Sequence, residues 1–420
     1  MVCVNTVLIS TCNLAHTDPT EVGLYATAVS RGLTEAGVAP SAKHFPGHGD
    51  THIDSHLALP VINKPLSSLL ATELPPFQSL IDTGCATIMT GHMALPVVTG
   101  DSTPCSLSRK ITTDLLRVQM NFDGVVVTDC LEMEAVAGEY GTERGAVLSL
   151  VAGADVAMIC HTFSRQRGAL LQTCEAIENG EWGVDELKAS GARIKKLKER
   201  FAGSWADVLG AKFDRDQLEV LKKRNSELSN AAYATSIAMI SGPLPKIPKE
   251  GKVLVLTPEM ETLNKAVDDA EGVVRTGGGQ VRNMAGSSYL AFAATISRRI
   301  SLSQHIVYSS RGMISSSDIK QASAVIFVTR NADRSPWQIG QLKHVFAQAG
   351  GLVLVLLQSC APYDLLSVDQ GQLLVPCLAS FEFTPPALEA VAGVLFGEMQ
   401  VMGRVPVLSG RVVGQQGMLI

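Results

Sequence analysis

Residues 43–60 read KHFPGHGDTHIDSHLALP, and this stretch is the most informative part of the chain. Glycine and proline at this density end regular secondary structure. The polar groups are therefore expected on an irregular loop that follows an apolar stretch, where binding and catalytic residues tend to gather. The loop holds four histidines and two aspartates: His44, His48, His52, His56, Asp50 and Asp54.

Within this loop, Asp54 stands two residues before His56. A carboxylate orients an imidazole and raises its proton affinity, which makes a general acid/base that works near neutral pH. Two other interpretations fit the residue types. Histidine and aspartate are good ligands for zinc and related ions, although no helical HxxxH or HExxH pattern supports a metal site. The loop is also consistent with a purely structural segment carrying solvated histidines.

A second informative segment is FDGVVVTDCLEM at residues 122–133. A short apolar, β-branched run between turn residues is typical of a buried parallel strand. In a β/α barrel, a polar residue at the carboxyl end of such a strand faces the active site. The pattern alone assigns Asp129 either to such a site or to the cap of the following helix.

Together these segments resemble glycoside hydrolase family 3, specifically its β-N-acetylglucosaminidase branch. KHFPGHGDT followed by DSH and LP is similar to the signature loop of the family, and residues 122–133 are similar to its nucleophile strand. PCSLS at 104–108 and IMTGH at 88–92 resemble further family segments. The resemblance covers about residues 17–407 and is strongest over 43–161.

The resemblance implies a retaining glycosidase that removes terminal N-acetyl-β-D-glucosamine by double displacement. Asp129 is then the nucleophile, and His56, held by Asp54, is the acid/base in place of the usual carboxylic acid. Substrate-binding roles fall on Lys43, His44 and His92. The resemblance implies loop-shaping roles for His48 and Asp50 and a solvated His52. It implies no cofactor and no metal, and a small carbohydrate as the partner.

Two variants of this chemistry stay open. A neutral imidazole does not repel an incoming anion, so a phosphorylase that uses the same residues is one alternative. Some family members take the acid/base from a glutamate of the C-terminal domain, for which Glu382 or Asp333 are the candidates. In the second half of the chain, TGGG at 276–279 lacks the spacing of a phosphate-binding loop and indicates a flexible turn.

Strand-like and helical segments alternate through the first half, which predicts a parallel sheet or barrel. Predicted strands lie at 42–45, 87–90, 125–128 and 155–159, and predicted helices at 21–36, 67–83, 108–119, 143–152 and 182–201. The pattern restarts after GPLPKIPKEG at 242–251, with predicted strands at 252–257, 324–329, 352–358 and 373–380. The expected fold is α/β: an incomplete (β/α)8 TIM-type barrel over 1–235, a linker over 236–251, and a smaller α/β sandwich domain over 252–410.

Composition is that of an ordinary soluble globular protein, with 46% hydrophobic and 18% charged residues. The net charge of −5 gives no reason to expect a nucleic acid or an anionic membrane as a partner. Nine cysteines without CxxC spacing favour reduced thiols inside a cell. Beside the nucleophile, Cys130 is either a buried small hydrophobe or an oxidation-sensitive thiol. No segment is long and apolar enough to span a bilayer, and no signal peptide is evident, so a cytoplasmic location is expected.

The amino-terminal region departs from the family pattern. A barrel of this type needs eight strands and about 250 residues, yet the signature loop begins at residue 43. The family arginine that stands five residues before an Asp-Pro pair is replaced here by Asn13. An incomplete barrel would expose sheet edges, which predicts self-association through them. The alternatives to an active glycosidase are a non-catalytic carbohydrate-binding or interaction paralogue and a metal-dependent hydrolase that uses the histidine-rich loop.

Overall fold

The computed structural model describes residues 3–4, 18–49, 58–210, 212–260, 274–275, 281–283, 285–333, 335–360 and 375–405. The chain forms two compact units, Met1–Phe213 and Asp214–Ile420. The helix Arg215–Ser236 and the strand Ala238–Ser241 therefore fall in the second unit. A linker over residues 236–251 stays a prediction, which limited proteolysis would test.

The first unit contains a parallel sheet whose five strands stand side by side in chain order. This order is the one that successive βα units adopt in a barrel, and it confirms the predicted α/β class. Registers such as Ala42 opposite Ile88 and Ile88 opposite Val126 align the carboxyl ends of the strands. The strands are β1 (Cys3–Val4), β2 (Ser41–Phe45), β3 (Thr87–Thr90), β4 (Val125–Cys130) and β5 (Val156–Met158).

Helices connect these strands, and the first of them begins at a side-chain cap. Asp18 accepts a hydrogen bond from the Thr20 amide at 2.8 Å, and Pro19 occupies the first turn, which starts the first helix. The single helix predicted over 67–83 is two helices, because the prolines after Leu74 favour a new first turn. The helices are Pro19–Glu35, Leu66–Ala71, Leu74–Asp82, Pro96–Thr99, Lys110–Gln119 (π-type), Glu134–Ala137, Thr142–Ala152, Phe163–Glu178, Val184–Phe201 and Trp205–Gly210, with a 3₁₀ turn at Cys105–Leu107.

The core of the first unit packs apolar faces of these helices against the central strands. Ile88 and Val126 of the sheet, and Phe77 and Ile111 of the helices, are 0–1% exposed. Each such side chain contributes roughly 1.5–3 kcal/mol relative to an exposed position. Strands β3 and β4 are therefore the rigid elements from which their terminal residues extend.

Asp155, at the start of β5, forms a buried ion network. Its fully buried carboxylate pairs with Arg117 at 2.7 Å and with Arg193 at 2.8 Å. It also accepts the amide hydrogen of Val126 at 2.8 Å. This network connects β4, β5 and two helices at the amino-terminal edge of the sheet.

The second unit is a three-layer α/β sandwich around a six-stranded sheet. The order is β10-β7-β11-β12-β13-β6, and every neighbouring pair is parallel except β13 with β6. Alternate residues of β7 face opposite cores, with Val253 and Val255 on one side and Leu254 and Leu256 on the other. The strands are β6 (Ala238–Ser241), β7 (Val253–Pro258), β10 (Ser303–Tyr308), β11 (Ala324–Thr329), β12 (Val353–Gln358) and β13 (Cys377–Ala379), with a separate pair β8 (Val274–Arg275) and β9 (Val281–Asn283).

Helices cover both faces of this sheet, as the predicted sandwich requires. Their bounds are Arg215–Ser236, Gly286–Ser297, Ser316–Lys320, Trp337–Gln348 and Pro385–Leu395. Strands β6 and β10 were not predicted, because β6 is short and lies within the segment assigned to the linker, and β10 alternates only weakly. The predicted turn at 276–279 lies outside the described residues.

Among the described residues, no helix combines the length and the hydropathy that crossing a bilayer requires. Self-association through sheet edges stays a prediction. Sedimentation velocity over a range of chain concentrations would test it.

Candidate functional site

Several of the polar residues singled out in the sequence lie at one edge of the first sheet. Lys43 and His44 are near the carboxyl end of β2, His92 follows β3, and Asp129 is next to last in β4. The carboxyl ends of neighbouring parallel strands meet at the same edge, which is where barrel enzymes carry their active sites. The peptide bonds Lys43–His44 and Phe45–Pro46 are cis.

Asp129 lies at the centre of this edge, and its carboxylate contacts two donors. Its Oδ2 is 3.2 Å from Nε2 of His44, and its Oδ1 accepts the backbone amide of Cys130 at 2.8 Å. Burial by itself raises the pKa of Asp129, but the hydrogen bond and charge of His44 and the hydrogen bond from the Cys130 amide together hold this pKa well below the ordinary range. The carboxylate is therefore ionised at neutral pH, while its side chain remains 21% exposed.

His92 makes a hydrogen bond to the end of β4 from a buried position. Its ring is fully buried, with Nδ1 2.7 Å from Oγ of Ser106 and Nε2 3.0 Å from the carbonyl oxygen of Cys130. Burial lowers the pKa of His92, opposed by the charge of Asp129, so the neutral ring is favoured. The two contacts assign the tautomer in which Nε2 donates to the carbonyl and Nδ1 accepts from the hydroxyl. Both ring nitrogens are thus occupied by protein partners, and substrate contact by His92 stays a prediction.

Gly91 allows β3 to approach His44 closely. A Cβ atom at this position would lie 2.9 Å from Cβ of His44 and 2.7 Å from Cε of Met93. Any larger residue would displace the imidazole that contacts Asp129. Among the described residues, the buried Nδ1 of His44 has no hydrogen-bond partner, while its Nε2 faces the carboxylate.

Only the first part of the histidine-rich loop can be described. His48 is buried, with its ring centroid 6.2 Å from that of His44, and Gly47 at φ 130° packs against Glu73. Lys43 is half-buried on β2. The predicted acid/base pair Asp54 and His56, together with Asp50 and His52, lies outside the described residues, as does Asn13. Their roles stay predictions.

Glu382 and Asp333 are the alternative acid/base candidates, and both lie in the second unit. Glu382 accepts the amide hydrogens of Phe383 at 2.7 Å and Thr384 at 3.2 Å, just before the helix Pro385–Leu395. This is the position of a carboxylate that stabilises a helix amino terminus. Asp333 is exposed. An acid/base role for either residue stays a prediction.

Sequence reasoning did not assign a role to Glu132, which lies three residues after Asp129. Its carboxylate accepts the backbone amides of Cys160 at 3.0 Å, His161 at 2.6 Å and Thr162 at 3.1 Å. It thereby holds the loop after β5 against the end of β4. Glu132 stands in the quoted segment 122–133, but its three partners are distant in sequence. The sequence therefore shows an acidic residue at this position and gives no sign of its contacts.

A cavity of about 680 Å³ opens at the other end of the same strands. Its lining includes Ala86 and Val125, which lie at the amino-terminal ends of β3 and β4, with Arg193 and Arg200 from a neighbouring helix. Barrel chemistry belongs to the carboxyl-terminal face. We therefore place the candidate site at Asp129 and not in this cavity.

The arrangement around Asp129 fits nucleophilic chemistry. An ionised carboxylate, partly exposed and fixed by two donors, can attack an electrophilic carbon without first losing a proton. A retaining glycosidase needs in addition a group that protonates the leaving oxygen. The sequence predicts that group at His56.

Comparison with known proteins identifies similar sequences and folds. Residues 15–197 match the family model described as the glycosyl hydrolase family 3 N-terminal domain. A β-hexosaminidase of Chromobacterium violaceum is 36% identical over 146 residues, which cover 35% of this chain and 40% of that protein. The chain thus spans less than half the length of the curated relatives it matches.

Two solved structures are similar over nearly the whole chain. A fungal multi-domain family 3 β-N-acetylglucosaminidase with a glucosamine N-acetyltransferase region gives a TM-score of 0.82 at 31% identity, covering 97% of this chain and 46% of that one. A family 3 β-N-acetylglucosaminidase from Paenibacillus sp. FPU-7 gives 0.77 at 29% identity, covering 96% and 74%. Both similarities extend through the two compact units.

Proposed function

We propose that this chain, which belongs to glycoside hydrolase family 3, is a retaining glycosidase that removes terminal N-acetyl-β-D-glucosamine. The observation that carries the proposal is the environment of Asp129. This carboxylate is ionised, oriented by His44 and the Cys130 amide, and placed at the carboxyl edge of a parallel sheet. Relatives named β-hexosaminidase and β-N-acetylglucosaminidase support the choice of sugar.

In the first step of this reaction, an oxygen of Asp129 bonds to the anomeric carbon while the bond to the aglycone breaks. The departing oxygen takes a proton from His56, so that a neutral alcohol leaves and a covalent glycosyl-enzyme remains. In the second step His56 takes a proton from water, the resulting hydroxide attacks the same carbon, and Asp129 is released. Two inversions give net retention.

Other residues would hold the sugar and tune the acid/base. Lys43 and His44 are proposed to bind sugar hydroxyls, because both lie near the carboxyl end of β2. Asp54 is proposed to orient His56 and to favour its protonated form before the first step. His92 would keep Asp129 in place through the Cys130 carbonyl.

Hydrolysis of 4-nitrophenyl N-acetyl-β-D-glucosaminide by the purified chain tests the proposal. We expect release of nitrophenol and of β-configured N-acetylglucosamine at early times, and no release from the α-anomer. The same assay with inorganic phosphate separates the two chemistries, since a phosphorylase would form a sugar 1-phosphate. A folded chain without turnover that still binds N-acetylglucosamine would indicate the non-catalytic paralogue instead.

The pH dependence of kcat/KM should report the environment of Asp129. Its pKa lies below the ordinary aspartate value of about 3.9, and the nucleophile is active only when ionised. We therefore expect kcat/KM to remain high as the pH falls, and to decrease only when the pH is below the ordinary aspartate pKa. His44→Ala removes a donor and a positive charge, so the pKa of Asp129 should rise and the acidic limb should move to higher pH.

We also expect kcat/KM at neutral pH to fall on the order of 10²-fold in His44→Ala, because the nucleophile loses its orientation. His44→Gln is the matched control, since an amide keeps a donor without the charge and should give a smaller shift. An acidic limb at the same pH in all three proteins would contradict the assigned role of His44.

A further inference from the structure

Three metal-ligating side chains converge beside the candidate nucleophile. The Sγ atoms of Cys130 and Cys160 and a ring nitrogen of His161 all lie within 4.8 Å of one another. Cys130 ends β4, and Cys160 and His161 follow β5, so the cluster lies at the same carboxyl edge as Asp129. Both cysteines are free thiols, with Cys130 half-buried and Cys160 exposed.

The position of this cluster is fixed by the protein. The Glu132 carboxylate, 6% exposed, accepts the amides of three consecutive residues, including Cys160 and His161. Oε2 of Glu132 is also 3.9 Å from Sγ of Cys130. The buried carboxylate of Glu132 therefore holds Cys160 and His161 against β4, the strand that carries Cys130.

The geometry points to a binding site for a thiophilic divalent cation of the Zn²⁺ type, held by Cys130, Cys160 and His161. In tetrahedral zinc sites the metal lies about 2.3 Å from sulfur and about 2.0 Å from nitrogen, so the ligand atoms would approach one another by at most roughly 1.3 Å on binding. Two thiolates and an imidazole select such ions over Mg²⁺ or Ca²⁺, which prefer oxygen. Binding releases two thiol protons to solvent, and the fourth position remains for water.

The cation would affect the neighbouring nucleophile. Cys130 donates its amide to Asp129, so a metal ion on the Cys130 thiolate restrains the strand end that carries the carboxylate. Because two thiolates balance the charge of the cation, we expect the metal to act as an inhibitor by restraining the strand end that carries Asp129. This consequence rests on the proposed function, whereas the binding itself does not.

Titration of the full chain with Co²⁺, in a non-thiol reductant, tests the site without any reference to turnover. Tetrahedral cobalt bound to thiolate gives a near-ultraviolet charge-transfer band and intense visible bands. We expect both to saturate at one cobalt per chain and to be displaced by one equivalent of Zn²⁺. In Cys160→Ser and His161→Ala these bands should be lost or saturate only at much higher cobalt, while circular dichroism remains that of the parent.

Two further variants make the test specific. Cys174→Ser, which removes an exposed cysteine outside the cluster, should leave the titration unchanged. Glu132→Gln should weaken cobalt binding by about 10- to 100-fold, the usual effect of losing a group that orients ligands. Bands that persist in Cys160→Ser, or a folded parent that shows none, would overturn the proposal. If cobalt binds as expected but the chain has no turnover, the metal site stands and the proposed function fails.

Discussion

Replacement of Asp129 by alanine is expected to reduce kcat/KM for an aryl N-acetyl-β-glucosaminide by at least about 10⁴-fold. The carboxylate is the group proposed to form the covalent intermediate, so the variant lacks the oxygen that bonds to the anomeric carbon. Its partners His44 and the Cys130 amide would remain, so the pocket should still bind sugar. The measurement is steady-state kinetics, with binding of N-acetylglucosamine to both proteins as the check on folding.

Azide provides a sharper test of the same prediction. In Asp129→Ala a small anion can enter the space of the missing carboxylate and attack the anomeric carbon from that side. We expect partial recovery of turnover and a glycosyl azide of the α configuration from a β substrate. Turnover in Asp129→Ala close to that of the parent would refute the assignment of Asp129 as nucleophile.

The second large effect concerns stability. Asp155→Asn should destabilise the first unit by about 3–5 kcal/mol, the usual cost of leaving a buried ion pair without one partner. The fully buried carboxylate neutralises Arg117 and Arg193 and accepts the Val126 amide. The asparagine amide would accept part of these hydrogen bonds, but it carries no negative charge to face Arg117 and Arg193.

Urea unfolding measures this effect in the first unit alone. Trp182 is 5% exposed and serves as the probe when Trp205 and Trp337 are replaced by phenylalanine. The control is Glu181→Gln, which breaks an exposed pair with Arg144 and should leave the midpoint close to that of the parent. Equal midpoints for Asp155→Asn and Glu181→Gln would show that the buried network adds little to stability.

Local sequence was sufficient to predict most of the elements that position the site. The strands over 87–90 and 324–329 were predicted with the bounds that the structure has, because continuous β-branched runs between turn residues define buried parallel strands. The same logic placed Asp129 at a strand end. It failed at β10, whose partly buried side chains give a weak pattern, and at residues 67–83, where two helices replace one.

The sequence by itself determined the chemistry: the α/β class, the resemblance to glycoside hydrolase family 3, and a carboxylate at the end of β4. These follow from residues that are neighbours in the chain, where spacing reports local conformation directly. Only the tertiary structure decided that His44 contacts Asp129, that His92 supports its strand, and that Glu132 brings Cys160 and His161 to Cys130. These contacts join residues on different strands, and their distances are set by the register of parallel strands and the packing beneath them, which no local pattern encodes.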